Sequence, residues 1–212
     1  HAHPNEEDED PDLDLPLHGF TKRQFAKQKG LWKVLRKYQV YIFLPLRTLV
    51  TYTYRLDNLR YFKKEKKIGV VSWKIIVWIA GMFVWFFLPF FIFSLSKALI
   101  VFFVVHTATG FYISIIFAPN HKGMPQIAKG TKMSFLEQQI ITSRNISGNW
   151  LVDFVYMGLN YQIEHHLFPN TPRNKLKQIT PYVLDICRKR NLTYTQAGVI
   201  ESNRIILSEL KR

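Results

Sequence analysis

Residues 73–118 read WKIIVWIAGMFVWFFLPFFIFSLSKALIVFFVVHTATGFYISIIFA, and within them only Lys74, Lys97 and His106 carry an ionisable amine or imidazole. A helix needs about 20 apolar residues to cross the hydrocarbon of a bilayer, and this stretch is long enough for two crossings. It divides at Ser94-Leu95-Ser96-Lys97, which predicts spans at about 75–93 and 98–118 joined by a tight turn. Two buried helices of a soluble protein would have the same length, but the density of Trp and Phe between Trp78 and Phe93 favours lipid.

The flanks of this stretch account for the charge. The 212-residue chain carries a net charge of +14 and is 48% hydrophobic, enough for one substantial domain. Lysine and arginine clusters attract phosphate, yet Lys63, Lys64, Lys66 and Lys67 lie just before the first span, and Lys122, Lys129 and Lys132 lie after the second. Short cytoplasmic flanks carry positive charge, so both ends of the hairpin are expected in the cytosol. An anionic bilayer surface explains the basic flanks without nucleic acid. Cys187 is the single cysteine, which excludes an intrachain disulfide and a thiolate metal cluster.

Upstream, residues 5–14 hold seven carboxylates around Pro11 and read as a solvated loop. Residues 22–61 are basic and aromatic, broken by Pro45, Arg47 and Arg55. They predict one or two amphipathic helices at the membrane interface, a fully buried helix being the alternative. Downstream, Pro119 and Gly123 end the second span. Ser134 with Glu137 three positions on is a capping box opening a helix toward Arg144, stopped at Gly148-Asn149. A single helix is expected from Trp150 to Phe168, with further helix starts at Thr171-Pro172 and Thr180-Pro181. The rest is a basic helical tail. No strand-rich segment and no internal repeat is found, so the fold class is all-α: a transmembrane hairpin, interfacial helices and a cytosolic helical cap.

The chemistry concentrates in Gln162-Ile163-Glu164-His165-His166. On a helix Gln162, His165 and His166 are spaced i, i+3, i+4 and leave from one face, so they can converge on a metal. His121 sits where the second span emerges, on the side expected for that cluster. Imidazole binds a metal through a neutral ring nitrogen, while the carboxamide of Gln162 either ligates weakly or orients a ligand. Glu164 points off the histidine face and reads as a surface or supporting carboxylate. Arg144 and Asn145 hold neighbouring helices, bind a head group or simply cap a helix. His106, inside the apolar run, is either functional or a neutral imidazole bonded to a neighbouring helix, and the second reading is preferred. His18 reads as a loop residue.

The run Gln162-Ile163-Glu164-His165-His166-Leu167-Phe168-Pro169 resembles the third histidine box of the membrane fatty-acid desaturases, in the form with Gln first that marks the front-end group. Thr142-Ser143-Arg144-Asn145, Asn120-His121-Lys122-Gly123-Met124-Pro125 and the opening His1-Ala2-His3-Pro4-Asn5 with Asp10-Pro11-Asp12 resemble that family in order and spacing. The likeness covers nearly the whole chain.

The resemblance implies a di-iron centre held by histidines of three boxes, which activates O2 and removes two hydrogens from adjacent methylenes of an acyl chain. His165 and His166 would bind iron, with Gln162 where other desaturases have histidine. His121 would be the ligand between the last span and the third box, and His1 the final histidine of the second. The substrate would be an acyl-CoA or acyl-lipid, and the electron donor a protein such as cytochrome b5 or ferredoxin. No catalytic residue beyond the metal centre is assigned. The first box, most of the second and a first pair of spans are lacking, as is a haem-binding His-Pro-Gly-Gly segment. The sequence therefore reads as the C-terminal part of one desaturase domain, inactive alone, with the irons completed by residues outside it. A saturated methylene offers no handle to side-chain acids and bases, so a redox metal suits such a substrate. The rival readings are a related hydroxylase or ketolase, and a non-catalytic membrane hairpin.

Overall fold

The computed structural model describes residues 4–6, 30, 34–64 and 68–211. The readings made of His1, His18, Lys66, Lys67 and residues 7–29 lie outside these. The chain is mostly helical and forms two compact units, Leu44–Ser114 and His1–Phe43 with Ile115–Arg212.

Helix α1 (Gln39–Arg47) is followed by α2 (Val50–Lys64), α3 (Ile68–Met82), a π-helical segment (Phe83–Phe87), α4 (Leu88–Ile92) and α5 (Leu95–His121). Trp73–Ile92 and Leu95–His121 are long and apolar enough to cross a membrane, at 20 and 27 residues. With a rise of about 1.5 Å per residue they measure about 30 and 40 Å. Most of their large apolar side chains are exposed, among them Ile76, Trp85, Phe91, Ile100 and Phe103. That exposure disfavours the buried-pair alternative. The break between them is shorter than expected: only Phe93 and Ser94 leave the helix, and Leu95-Ser96-Lys97 already belongs to α5.

Inside the Leu44–Ser114 unit, the ring of His106 is packed against Phe86 and Phe102, with centroids 4.1 and 4.6 Å away. Its Nε2 lies 3.2 Å from the carbonyl oxygen of Trp85. A π-turn interrupts the regular i→i−4 ladder, and the imidazole meets a carbonyl of that turn. His106 is thus a buried ring bonded to a neighbouring helix. Helix α1 runs through Pro45 and breaks instead at Thr48-Leu49. There a Cβ on Gly110 would lie 2.1 Å from the Thr48 carbonyl oxygen, so only glycine lets α5 approach this turn.

The remaining elements are α6 (Phe135–Ile141), β1 (Asn145–Ser147), α7 (Trp150–Tyr156), α8 (Gln162–Leu167), a 3-10 turn (Arg173–Lys175), α9 (Leu176–Arg190), β2 (Gln196–Gly198) and α10 (Val199–Lys211). The Ser134 hydroxyl caps α6 by accepting from the Glu137 amide at 3.2 Å. The helix stops at Ile141, before the expected Gly148-Asn149, because the chain extends into β1. Strand β1 pairs in parallel with β2, Ile146 opposite Ala197. Three-residue strands leave no alternation in the sequence, so the all-α reading missed this ladder.

The single helix expected from Trp150 to Phe168 is two helices. Met157 adopts φ 51° and Gly158 φ 80°, and a Cβ on Gly158 would approach the Arg173 carbonyl oxygen to 2.7 Å. This turn separates α7 from α8. Pro181 starts no helix; it lies inside α9, where a proline removes one backbone hydrogen bond and the buried Leu176, Val183 and Cys187 keep the helix attached. Ile140 of α6, Ile163 of α8, and Val183 and Cys187 of α9 form one core cluster. Ile116, Ile146, Tyr156 and Leu159 form another, at the end of α5.

Candidate metal centre

Helix α8 begins without a side-chain cap of its own. The need is met from β1: the Asn145 Oδ1 accepts from the Ile163 amide at 2.8 Å, satisfying one of the orphan donors of a helix start. Ile163 is completely buried and fixes the rotation of α8, which leaves Gln162 and His166, one turn apart, side by side. The Gln162 Nε2 lies 2.8 Å from the His166 Nε2 and 3.0 Å from the Nε2 of His121, the last residue of α5. The two imidazole centroids are 4.9 Å apart. Three of the residues singled out from the sequence therefore meet at one point.

Hydrogen-bond chemistry assigns the protons. The Gln162 Oε1 accepts from the Asn120 Nδ2 at 2.9 Å, and that same nitrogen donates to the Leu159 carbonyl at 3.0 Å. Asn120 thereby holds the Gln162 oxygen away from the rings. The amide nitrogen, which can only donate, faces both imidazoles, so each ring accepts at Nε2. On the far side of His166, Nδ1–H donates to the Gln139 Oε1 at 2.6 Å.

Burial, with the neighbouring His121 and His165 adding to it, pushes the His166 pKa down to about 2. The ring stays neutral at physiological pH. His165 is half-buried, its ring 6.0 Å from that of His166 and nearly perpendicular to it. Burial also lowers its pKa, helped by the positive charge of Arg173.

Two further groups hold the end of α5, and a third braces α8. Arg144, 1% exposed, donates to the carbonyls of Pro119 (3.1 Å), Ser202 (3.5 Å), Lys122 (3.4 Å) and Gly123 (3.4 Å). A buried guanidinium with both Nη atoms so engaged is a clamp on the chain around His121, rather than a head-group site. Asn5, expected in a solvated loop, is buried and donates to the carbonyls of His121, Pro125 and Thr142 at 3.2–3.3 Å. Glu164, read from the sequence as a surface or supporting carboxylate, is completely buried and takes the supporting role. It accepts from the Asn145 Nδ2 at 2.7 Å and from the Tyr194 hydroxyl at 2.8 Å.

Sequence reasoning missed Gln139, Asn5 and Tyr194. Only Gln139 left a signal, as a polar residue beside Ile140 on the buried side of α6. Among the described residues, no three His, Cys, Asp or Glu side chains are grouped to hold a metal ion, and His1 lies outside them. The donors that do meet fit an imidazole-binding metal. Both rings direct an Nε2 lone pair at the Gln162 amide nitrogen, which would have to turn aside for a metal to reach them, and His166 has its other nitrogen tied to an acceptor, as metal-binding histidines commonly do. Two imidazoles are too few to complete such a site.

A family model described as fatty acid desaturase matches residues 1–198. The chain is 28% identical to the Delta(6)-fatty-acid desaturase fat-3 of Caenorhabditis elegans, over 100% of this chain and 51% of that protein. It is 31% identical to the Delta(8)-fatty-acid desaturase of Euglena gracilis, over 92% and 49% respectively. It is 29% identical to the acyl-lipid 8-desaturase of Rebecca salina, over 96% and 46%. The chain thus spans about half the length of these curated relatives. No solved structure matches it.

Proposed function

The chain belongs to the fatty acid desaturase family, and on that premise we propose that it carries the third-box part of a front-end desaturase iron centre on the cytosolic side of a membrane hairpin. The observation that supports this most directly is the meeting of His121 and His166 on the Gln162 amide, at 3.0 and 2.8 Å. His121, His165 and His166 would hold iron, with Gln162 setting the aim of two rings. His1 would join them, and the other ligands of a di-iron site would come from sequence that the relatives have and this chain does not span.

Bound iron would supply the O2 chemistry that removes two hydrogens from adjacent methylenes of an acyl-CoA or acyl-lipid. Electrons would come from a donor such as cytochrome b5 or ferredoxin. The chain's own residues prepare the site. Burial keeps His166 neutral, and with its proton on Nδ1 the Nε2 carries a lone pair that iron could take over from the Gln162 amide. Asn120 orients Gln162, Asn145 fixes the start of α8, and Arg144 fixes the chain that follows His121.

The test is iron content and acyl product in the full-length natural protein, comparing wild type with His121→Ala, His165→Ala and His166→Ala. Iron and double-bond formation should both fall at least 100-fold in the alanine variants. A hydroxylated product in the wild type would favour the hydroxylase or ketolase reading. Unchanged iron and activity in the variants would leave the non-catalytic hairpin.

A further inference from the structure

Gln139 is fully buried in α6, and its side chain is split between one satisfied atom and one that is not. Its Oε1 accepts from the His166 Nδ1 at 2.6 Å, whereas its Nε2 is buried with no hydrogen-bond partner. A buried donor left unpaired is destabilising, so a leucine or methionine would serve better if the position only filled the core. Its neighbours do fill the core: Ile140, the next residue, packs against Ile163 of α8. The geometry gives the oxygen one partner, and that partner is the imidazole nitrogen opposite the one facing Gln162 and His121.

We infer that Gln139 is a positioning residue for iron, holding His166 in the Nδ1–H tautomer with its Nε2 directed at the cluster. The inference rests on the reading of His166 as an iron ligand. In the metal-free protein the Gln162 amide favours the same tautomer through Nε2; once that amide turns aside for iron, the Gln139 oxygen alone keeps the proton on Nδ1 and the Nε2 lone pair free to ligate. Supporting partners of this kind govern metal affinity by roughly 10–100-fold.

The experiment titrates ferrous iron into the metal-free, full-length protein against a competing chelator, and records the unfolding temperature of each metal-free variant. Gln139→Leu should weaken iron binding by roughly 10–100-fold while the metal-free protein unfolds no lower than wild type. Gln139→Glu, which keeps an acceptor oxygen toward Nδ1, should bind within several-fold of wild type. His166→Ala separates the two layers of the argument. If His166→Ala loses iron and Gln139→Leu binds as wild type, the role of Gln139 is wrong and the ligand reading stands. If His166→Ala itself binds as wild type, both fall. Loss of iron in Gln139→Leu and Gln139→Glu alike, in step with a lowered unfolding temperature, makes Gln139 a packing residue and overturns the inference.

Discussion

The Nδ2 of Asn145 donates to the Oε2 of Glu164 across 2.7 Å, with both side chains buried. The Tyr194 hydroxyl completes the group by donating to the Oε1 of the same carboxylate at 2.8 Å. A fully buried carboxylate needs such donors, and these come from β1 and from the chain just before β2. Glu164 therefore ties α8 to the strand ladder on the face opposite the histidines.

Burial raises the pKa of Tyr194, and the charge of Glu164 raises it further, so the hydroxyl keeps its proton. Tyr194→Phe removes one donor from the buried carboxylate and should lower the unfolding free energy by about 1–3 kcal/mol. Adding Glu164→Gln should recover part of that loss, because contacting residues are not additive. Denaturant unfolding of the two single variants and the double variant checks both statements. Strict additivity would count against a shared network.

Acid should weaken the fold through His166. Its folded pKa, about 2, lies below its ordinary value of 6.5, so the unfolded chain takes up the proton first. Stability from this group is complete above pH 6.5 and is lost as the pH falls toward 2, by about 1.4 kcal/mol per pH unit for one proton. His165 is shifted in the same direction and adds to the slope near its ordinary value. His166→Gln should flatten the dependence of unfolding free energy on pH between 6 and 4; parallel curves for variant and wild type would refute it.

Arg144 should be among the most sensitive positions for folding. Replacing it with methionine strips donors from four carbonyls around the end of α5 and should destabilise by about 3 kcal/mol or more. Arg144→Lys should restore little, since an ammonium has no planar fork of five donors. Thermal unfolding measures the effect. A tolerant Arg144→Lys would show that charge alone suffices.

A hairpin that crosses the membrane twice puts its turn on one side and its basic flanks on the other. Ser94→Cys should react with an impermeant maleimide only from the non-cytosolic face of sealed vesicles, and Lys132→Cys only from the cytosolic face. The native Cys187 is buried and should label slowly. Labelling of both engineered positions from the same face would exclude the topology.

Apolar runs and the histidine spacing were legible in the sequence because both are local. The two long helices lie close to the expected 75–93 and 98–118, and the cap on α6 is at Ser134 as read. The helix break at Met157-Gly158 was not legible. Glycine is compatible with a helix until a neighbouring backbone, here that of Arg173, occupies the space its side chain would need. The β1–β2 ladder escaped for a similar reason: its pairing joins residues about 50 positions apart and too short to show a period.

The sequence by itself determined that this chain has two membrane-length apolar helices and that Gln162, His165 and His166 lie at helical spacing, since composition and helical period are properties of neighbouring residues. Only the tertiary structure decided that His121 joins Gln162 and His166, that Asn120 and Gln139 fix the orientation of the Gln162 amide and the His166 ring, and that Glu164 is a buried strut. Those relationships depend on burial and hydrogen bonds between segments 19 to 42 residues apart, which a helical repeat cannot encode.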